Sequence, residues 1–292
     1  MGGMGGHVAV RTVFAPYDSG HRGVRMGAGP GHLWDNGLPE LLRSESRPLV
    51  TIVDVVPESD PPAEVATAFE LDRLVAGQVR EAVSAGEFPL VLSGNCNTSV
   101  GTIAGAGPEG LGVVWFDAHA DFETPETTTT GFTDGMGLAI VVGHCWKTMA
   151  EGVPSFFPVV EENVVLAGTR EASSAERERL ASSSASVVDA DRIRREGLGA
   201  LREVLEGLRG RVGRIYVHLD LDVLDPARVG KANEFAPESG LTAEELKTAL
   251  GMVRERFSVA AAGIASYDPA FDAQGNVLGA ALTCVEILTR PD

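Results

Sequence analysis

The sequence predicts an α/β fold built on a parallel sheet covered on both faces, and three observations point to it. Short β-branched runs alternate with helical stretches along the chain, the pattern of strands joined by crossover helices. The 292 residues are 44% hydrophobic and 22% charged, ample material for a large globular core. No repeat or low-complexity linker divides the chain, so one domain over 1–292 is expected. Strands are expected at 8–14, 49–55, 90–93, 112–117, 164–168, 186–189, 215–220 and 260–267. Helices are expected at 62–85, 99–106, 174–182, 191–209, 243–257 and 277–289. Thr242 with Glu245 three residues on forms a capping box that marks one helix start.

Two runs of alternating acids stand at strand ends: Asp117-Ala118-His119-Ala120-Asp121 after 112–116, and His218-Leu219-Asp220-Leu221-Asp222 after 214–217. In extended backbone alternate residues share a face, so Asp117, His119 and Asp121 converge from one strand end and Asp220 with Asp222 from another. In open parallel sheets ligands bind outside the carboxyl ends of the strands. Carboxylates with a little imidazole suit hard or borderline divalent ions such as Mn²⁺, and these five side chains are enough for two ions sharing a water. Either run alone is as well read as a solvated strand end; the pair, each capping a hydrophobic strand, favours metal. His218 lies deeper on the same face and reads as a core histidine or one behind the ligands. The polar stretch 122–133 starts just past the first run and reads as an active-site loop rather than an ordinary surface loop.

A net charge of −17 argues against nucleic acid and anionic membrane surfaces as partners. Cys96, Cys145 and Cys284 are too few for a disulfide framework, and the odd count fits a reducing, cytoplasmic setting. No apolar run is long enough to span a membrane. The glycine-rich residues 1–6 lack a secretory h-region and the Ser/Thr of a myristoylation site.

Together these motifs resemble the arginase–agmatinase (ureohydrolase) family. Pro16-Tyr17-Asp18-Ser19-Gly20 and Gly27-Ala28-Gly29-Pro30 resemble its opening loops, and Asp-Ala-His-Ala-Asp at 117–121 its first metal motif. The threonine run with Gly131 resembles the loop beyond that motif, and Asp220-Leu221-Asp222-Val223-Leu224-Asp225-Pro226 its second metal motif. The resemblance implies a three-layer α/β/α fold with a mostly parallel eight-stranded sheet, two Mn²⁺ ions per chain, and a homo-trimer or hexamer. It implies that Asp117 and Asp220 bridge the ions, Asp121 completes one shell, and His119 with Asp222 holds the other ion. Two cations lower the pKa of a shared water, making hydroxide available near neutral pH to attack a guanidinium or amidine carbon. A cationic substrate also suits an acidic site.

The departures from that family pattern bear on substrate. Where members carry Gly-Gly-Asp-His, with histidine as a metal ligand, this chain has Ser93-Gly94-Asn95-Cys96. Cys96 reads either as a softer ligand that shifts preference toward Zn²⁺ or Fe²⁺, or as a buried thiol beside a weakened site. Asp134 stands where arginases place a proton-shuttling histidine, and with Asp121 is the expected catalytic pair; an aspartate suits that role only if burial raises its pKa. Glu123 replaces the asparagine that holds the α-carboxylate, and Ser173 replaces the aspartate that reads the α-amine, while Glu176 is retained. Thr130 of the threonine run is a further expected substrate contact. Ser266 replaces the glutamate that pairs the guanidinium, removing a bidentate ion pair. The expected activity is hydrolysis of a guanidine, hydroxyguanidine or amidine C–N bond, and not of free L-arginine. The alternatives are a formimidoyl or amide hydrolase on the same metals, and a metal-poor, non-catalytic relative. A third, a Cys96 nucleophile with His119 or His144 as base, is open by residue type alone. His144 and Cys145 read as packing on an apolar helical stretch, and Trp34, Trp115 and Trp146 as core or interface.

Overall fold

A computed structural model describes residues 9–43, 50–58 and 63–290. The expected starts at residues 8, 49 and 62, and the glycine-rich residues 1–6, lie outside the described residues. Eight strands form one wholly parallel sheet. They are β1 (Val10–Ala15), β2 (Val50–Asp54), β3 (Phe88–Ser93), β4 (Leu111–Phe116), β5 (Val164–Ala167), β6 (Ser186–Val188), β7 (Arg214–Asp220) and β8 (Ser258–Ala265). Their spatial order is β2-β1-β3-β8-β7-β4-β5-β6. Helices of eight or more residues among the described residues are α1 (Glu64–Ser84), α2 (Ser99–Ala106), α3 (Ser174–Ser182), α4 (Gly199–Arg209), α5 (Ala243–Arg254) and α6 (Asn276–Thr289).

Alternation along each strand sends neighbouring side chains to opposite faces, and each face has its own core. Val113 and Trp115 of β4 join Phe69, Val75 and Ile103 from α1 and α2. Val114 and Phe116 join Leu201, Leu205, Leu250 and Val285 from α4, α5 and α6. This is the three-layer α/β/α arrangement.

The boundaries differ where backbone chemistry intervenes. The helix expected over 191–209 is two, Ala190–Glu196 and α4, because Gly197 takes φ 68° between them. Strand β5 stops at Ala167, where Gly168 takes φ 91°. Asp189, expected at the end of β6, instead caps the next helix, its carboxylate accepting from Arg192 N at 2.6 Å. The capping box at Thr242 and Glu245 is present at the start of α5. Strand β8 ends at Ala265 rather than 267, because Ser266 adopts φ 63°. His144 and Cys145 lie past the short helix Gly137–Val141 rather than on it; both follow Gly143, whose φ of 80° stops a helix.

Five adjacent strands in space, β3, β8, β7, β4 and β5, deliver the expected site residues beyond their carboxyl ends, Ser173 and Glu176 following β5. Phe116 pairs with Leu219 across β4 and β7, which sets Asp117 beside Asp220. Gly94 lets the chain leave β3 tightly: a Cβ there would fall 2.1 Å from the Tyr17 carbonyl oxygen.

Candidate metal centre

The two acid runs reach the site by turns and not, as the alternation suggested, by extended backbone. Strand β4 stops at Phe116, and Asp117 Oδ1 accepts from His119 N at 2.7 Å. Asp220 Oδ1 accepts from Asp222 N at 2.7 Å, opening a single 3₁₀ turn over Leu221–Val223. Both are aspartates bonding the backbone two residues on, a turn that aspartate favours. Asp121 takes φ 50°, and with Ser266 at φ 63° gives the site wall two non-glycine residues in left-handed backbone.

The result is two ligand groups that share Asp117. Ligand atoms of Asp117, His119 and Asp222 lie within 4.8 Å of one another, as do those of Cys96, Asp117, His218 and Asp220. His119 Nδ1 is 3.1 Å from Asp222 Oδ2, and Cys96 Sγ is 3.0 Å from Asp220 Oδ2. Asp121 joins neither group at that spacing, but it is buried, lines the same cavity, and keeps Oδ2 without a hydrogen-bond partner.

Electrostatics show a site short of positive charge. Burial raises the pKa of Asp117, Asp121 and Asp220, and repulsion adds to it: from Asp222 at Asp117, from Asp117, Asp134 and Asp220 at Asp121, and from Asp222 and Asp117 at Asp220. Burial works against charge on both His119 and Asp222, yet each outweighs that for the other: His119 is raised and Asp222 lowered. Burial, and then the charge of Asp134, push the Cys96 thiol well up, which argues against a free thiolate nucleophile there. His144 is bonded elsewhere, its Nε2 2.7 Å from Glu161 Oε1. His218 is buried and pulled down to about 3, a neutral imidazole.

Asp134 is pushed up to about 7 by burial, against hydrogen bonds from Cys96 N and Asn95. Its Oδ2 accepts from Asn95 Nδ2 at 2.8 Å and its Oδ1 from the Cys96 amide, so it also fixes the turn that carries Cys96.

Of these residues Cys96, His119, Asp121, Asp134, Asp220 and Asp222 line a cavity of about 410 Å³. Glu123, Thr130, Ser173, Glu176 and Ser266 all line it, so every substrate position expected from the sequence reaches one space. Their partners differ. Ser266 Oγ lies 3.4 Å from Cys96 Sγ at the floor, Thr130 is exposed, and Glu123 keeps a buried oxygen without a partner. Glu176 bonds Phe122 N at 3.0 Å and Ser173 N at 2.8 Å, in a capping box with Ser173 at the start of α3. Among the described residues the lining contains no lysine or arginine.

The sequence reading missed Glu171, Asn233, Phe132 and Phe235 in the wall. A signal existed for the last pair of elements: the loop 226–241 follows the second acid run as 122–133 follows the first. Phe132 and Phe235 meet from these two loops, ring centroids 5.9 Å apart. Arg170 was missed as well. Its guanidinium donates to the carbonyls of Asp222 (2.7 Å), Leu224 (3.2 Å), Pro237 (2.7 Å) and Glu238 (2.9 Å), and its amide to Ala118 O (2.8 Å). It thereby ties the second acid run and its following loop to the first. Arg170→Met should cost about 3 kcal/mol by leaving those carbonyls unmatched, and weaken metal affinity at least tenfold. Thermal melts and metal content check this; an unchanged pair of values would remove Arg170 from the site's support.

The comparisons agree with this geometry. The model of the family described as "Arginase family" matches residues 10–289. Arginase from Bacillus caldovelox is 30% identical over 217 residues, covering 73% of this chain and 72% of that protein. Arginase from Brucella melitensis is 27% identical over 301 residues, covering 94% of each. The crystal structure of arginase from Bacillus subtilis superposes with a TM-score of 0.86 at 26% identity, over 96% of this chain and 98% of that one. Formimidoylglutamase from Bacillus subtilis shares the fold, with a TM-score of 0.75 at 20% identity over 96% and 86% of the two chains. With two ligand groups at the carboxyl ends of an eight-stranded parallel sheet, and Cys96 at one ligand position, the chain belongs to the arginase family as a divergent member.

Proposed function

We propose that this protein is a two-metal hydrolase that cleaves a C–N bond of a guanidine, hydroxyguanidine or amidine, and that free L-arginine is not its substrate. The observation that carries the reading is the pair of ligand groups that share Asp117, four of whose members, Cys96, His119, Asp220 and Asp222, line the cavity. The donor set fits divalent cations. The buried carboxylates there outnumber the nearby positive charge of His119 and Arg170, and among the described residues Asp121 Oδ2 is a buried acceptor with nothing to accept from. Asp117, His119, Asp121, Asp220 and Asp222, with Cys96, would hold the ions, and the oxygen-rich donors suit Mn²⁺. The chemistry such ions supply when bound is a water acidified toward neutral pH and stabilisation of developing charge.

The chain's own groups select and position. The acidic lining without lysine or arginine attracts a cation and offers no partner for an α-carboxylate. Glu123 would repel that carboxylate. Ser266 gives the reacting end a hydroxyl rather than a charge, so the guanidinium is not clamped by a carboxylate at that position. Asp134, poised near neutrality, is suited to carry a proton between solvent and the leaving nitrogen. Assembly as a homo-trimer or hexamer belongs to the same proposal. So does a cytoplasmic setting, which three free, buried cysteines support. Among the described residues no helix is long and apolar enough to cross a membrane.

The test assays metal-loaded protein on L-arginine, N-hydroxyguanidines, decarboxylated guanidines and formimidoyl compounds, reading urea against ammonia and formamide. Urea release from a guanidine without a free α-carboxylate is expected at kcat/KM about 100-fold above L-arginine, since like charges brought together cost several kcal/mol. Robust arginine turnover would sink the shift in substrate. Ammonia or formamide release instead would favour the formimidoyl or amide reading, to which the uncharged Ser266 also lends itself. No hydrolysis from a protein that holds one ion or none would favour the metal-poor, non-catalytic relative, and no hydrolysis with both ions seated would sink the proposed activity.

A further inference from the structure

His218 stands two residues before Asp220 on the same face of β7 and is 1% exposed. Its ring stacks on Trp115 with centroids 3.7 Å apart and planes 25° from parallel, which fixes its orientation. Nδ1 meets Ser99 Oγ at 3.0 Å and Tyr216 OH at 3.3 Å, while Nε2 is buried with no hydrogen-bond partner among the described residues. An unpartnered buried ring nitrogen is costly in a core histidine. It is ordinary in one that awaits an ion and is oriented through its other nitrogen. A ring nitrogen of His218 also lies within 4.8 Å of ligand atoms of Cys96, Asp117 and Asp220. The two ligand groups are therefore unlike. One offers thiol, imidazole and two carboxylates; the other offers imidazole and two carboxylates.

We propose that His218 and Cys96, with Asp117 and Asp220, form a nitrogen–sulfur–oxygen site that takes Zn²⁺, while the Asp117–His119–Asp222 position takes Mn²⁺. The inference rests on the two-metal reading above and divides it: the imidazole that the turn after β3 lacks is supplied from inside β7, and the protein carries two different metals. Thiolate and imidazole favour Zn²⁺, whereas carboxylate suits Mn²⁺. As the Zn–S bond forms, the Cys96 thiol proton leaves to solvent, so loading that site releases a proton.

The full chain, stripped of metal, is given equal Zn²⁺ and Mn²⁺, desalted, and measured by elemental mass spectrometry. One zinc and one manganese per chain are expected. Loaded with Co²⁺ instead, it should show a thiolate-to-cobalt charge-transfer band in the near ultraviolet. His218→Ala should lose at least ~100-fold in zinc affinity and keep manganese. His119→Ala should lose manganese and keep both zinc and the cobalt band. X-ray absorption at the zinc edge of the unmutated protein needs no variant to fold. It should give one sulfur at about 2.3 Å and imidazole nitrogen at about 2.0–2.1 Å on the same ion. Two manganese ions and no zinc, a sulfur without imidazole, or a His218→Ala variant with unchanged zinc affinity and cobalt band would each overturn the assignment. These are binding readouts: a mixed-metal protein that hydrolyses nothing would support this site and sink the proposed activity, whereas an active two-manganese protein would do the reverse.

Discussion

Asparagine in place of Asp117 is expected to release both ions and lower kcat by on the order of 10³-fold or more. Asp117 is the residue common to the two ligand groups, so one substitution strikes both positions. It is fully buried, its Oδ2 accepting from Trp115 Nε1 at 2.9 Å and its Oδ1 from His119 N at 2.7 Å. Asparagine keeps the shape but offers one oxygen and no charge. Electrostatic stabilisation of this kind is worth several kcal/mol of the barrier, and each 1.4 kcal/mol is tenfold in rate. The fold should survive, because burial already disfavours the charged form of Asp117 in the metal-free protein. Losing the charge relieves that penalty, while the loss of one of the two hydrogen bonds Asp117 accepts, since an amide nitrogen cannot accept, offsets about 1–3 kcal/mol. Metal-free variant and metal-free parent should therefore melt within roughly 5 °C of each other. Asp222→Asn, by contrast, should release only the ion beside His119. Elemental analysis, steady-state kinetics and thermal melts decide it. A variant holding two ions and working within tenfold of its parent would show that Asp117 bridges nothing.

The fold was more legible than the site. All eight strands and the covered parallel sheet were readable because strand runs are β-branched and helices interrupt them regularly, a local signal. The break at Gly197 was not, because glycine is tolerated within helices and only its positive φ there ends one. The acid runs announced themselves by composition, since carboxylates so close need cations. Their geometry was misread, because Asp117 and Asp220 bend the chain through bonds to the amides of His119 and Asp222 instead of extending it. For His218, read as a core histidine or one behind the ligands, strand alternation gives the face its side chain is on, not the depth of its free nitrogen or what stands opposite. Arg170 carried no motif, because it works through backbone carbonyls more than 50 residues along the chain. Phe132, Asn233 and Phe235 lie in loops placed by the acid runs they follow, but which of their side chains reach the cavity depends on tertiary packing.

Without metal, the protein is expected to lose stability as pH rises from about 5 to 8, opposite to a protein whose carboxylates are paired. A carboxyl with a folded-state pKa above its unfolded value binds more protons when folded. Its contribution to stability therefore falls as pH climbs from the unfolded value through the folded one. Asp117, Asp121 and Asp220 are of this kind through burial. Asp134, raised by burial from 3.8 to about 7, alone represents on the order of 4 kcal/mol between those two values, of which about 3 kcal/mol falls between pH 5 and 8. His119 acts in the same direction. Its raised pKa, sustained by Asp222 and Asp117, gives stability that is complete below about 6.5 and is lost as pH passes the raised value. Asp222, which is depressed, opposes them only below the ordinary carboxylate range near 4, where its protonation would remove stability. From pH 5 to 8 the metal-free melting temperature should fall by on the order of 10 °C. Adding metal should reverse the slope, because ions bind the deprotonated ligands and stabilise by mass action most where those ligands are charged. Melts in chelator and in saturating metal at pH 5, 6.5 and 8 test this. A metal-free melting temperature that rises across the same range would mean the buried acids already have their counter-charge within the protein. The electrostatic case for ions at this site would then be lost, since the charge repulsion that destabilises the metal-free protein is the same free energy that metal binding recovers.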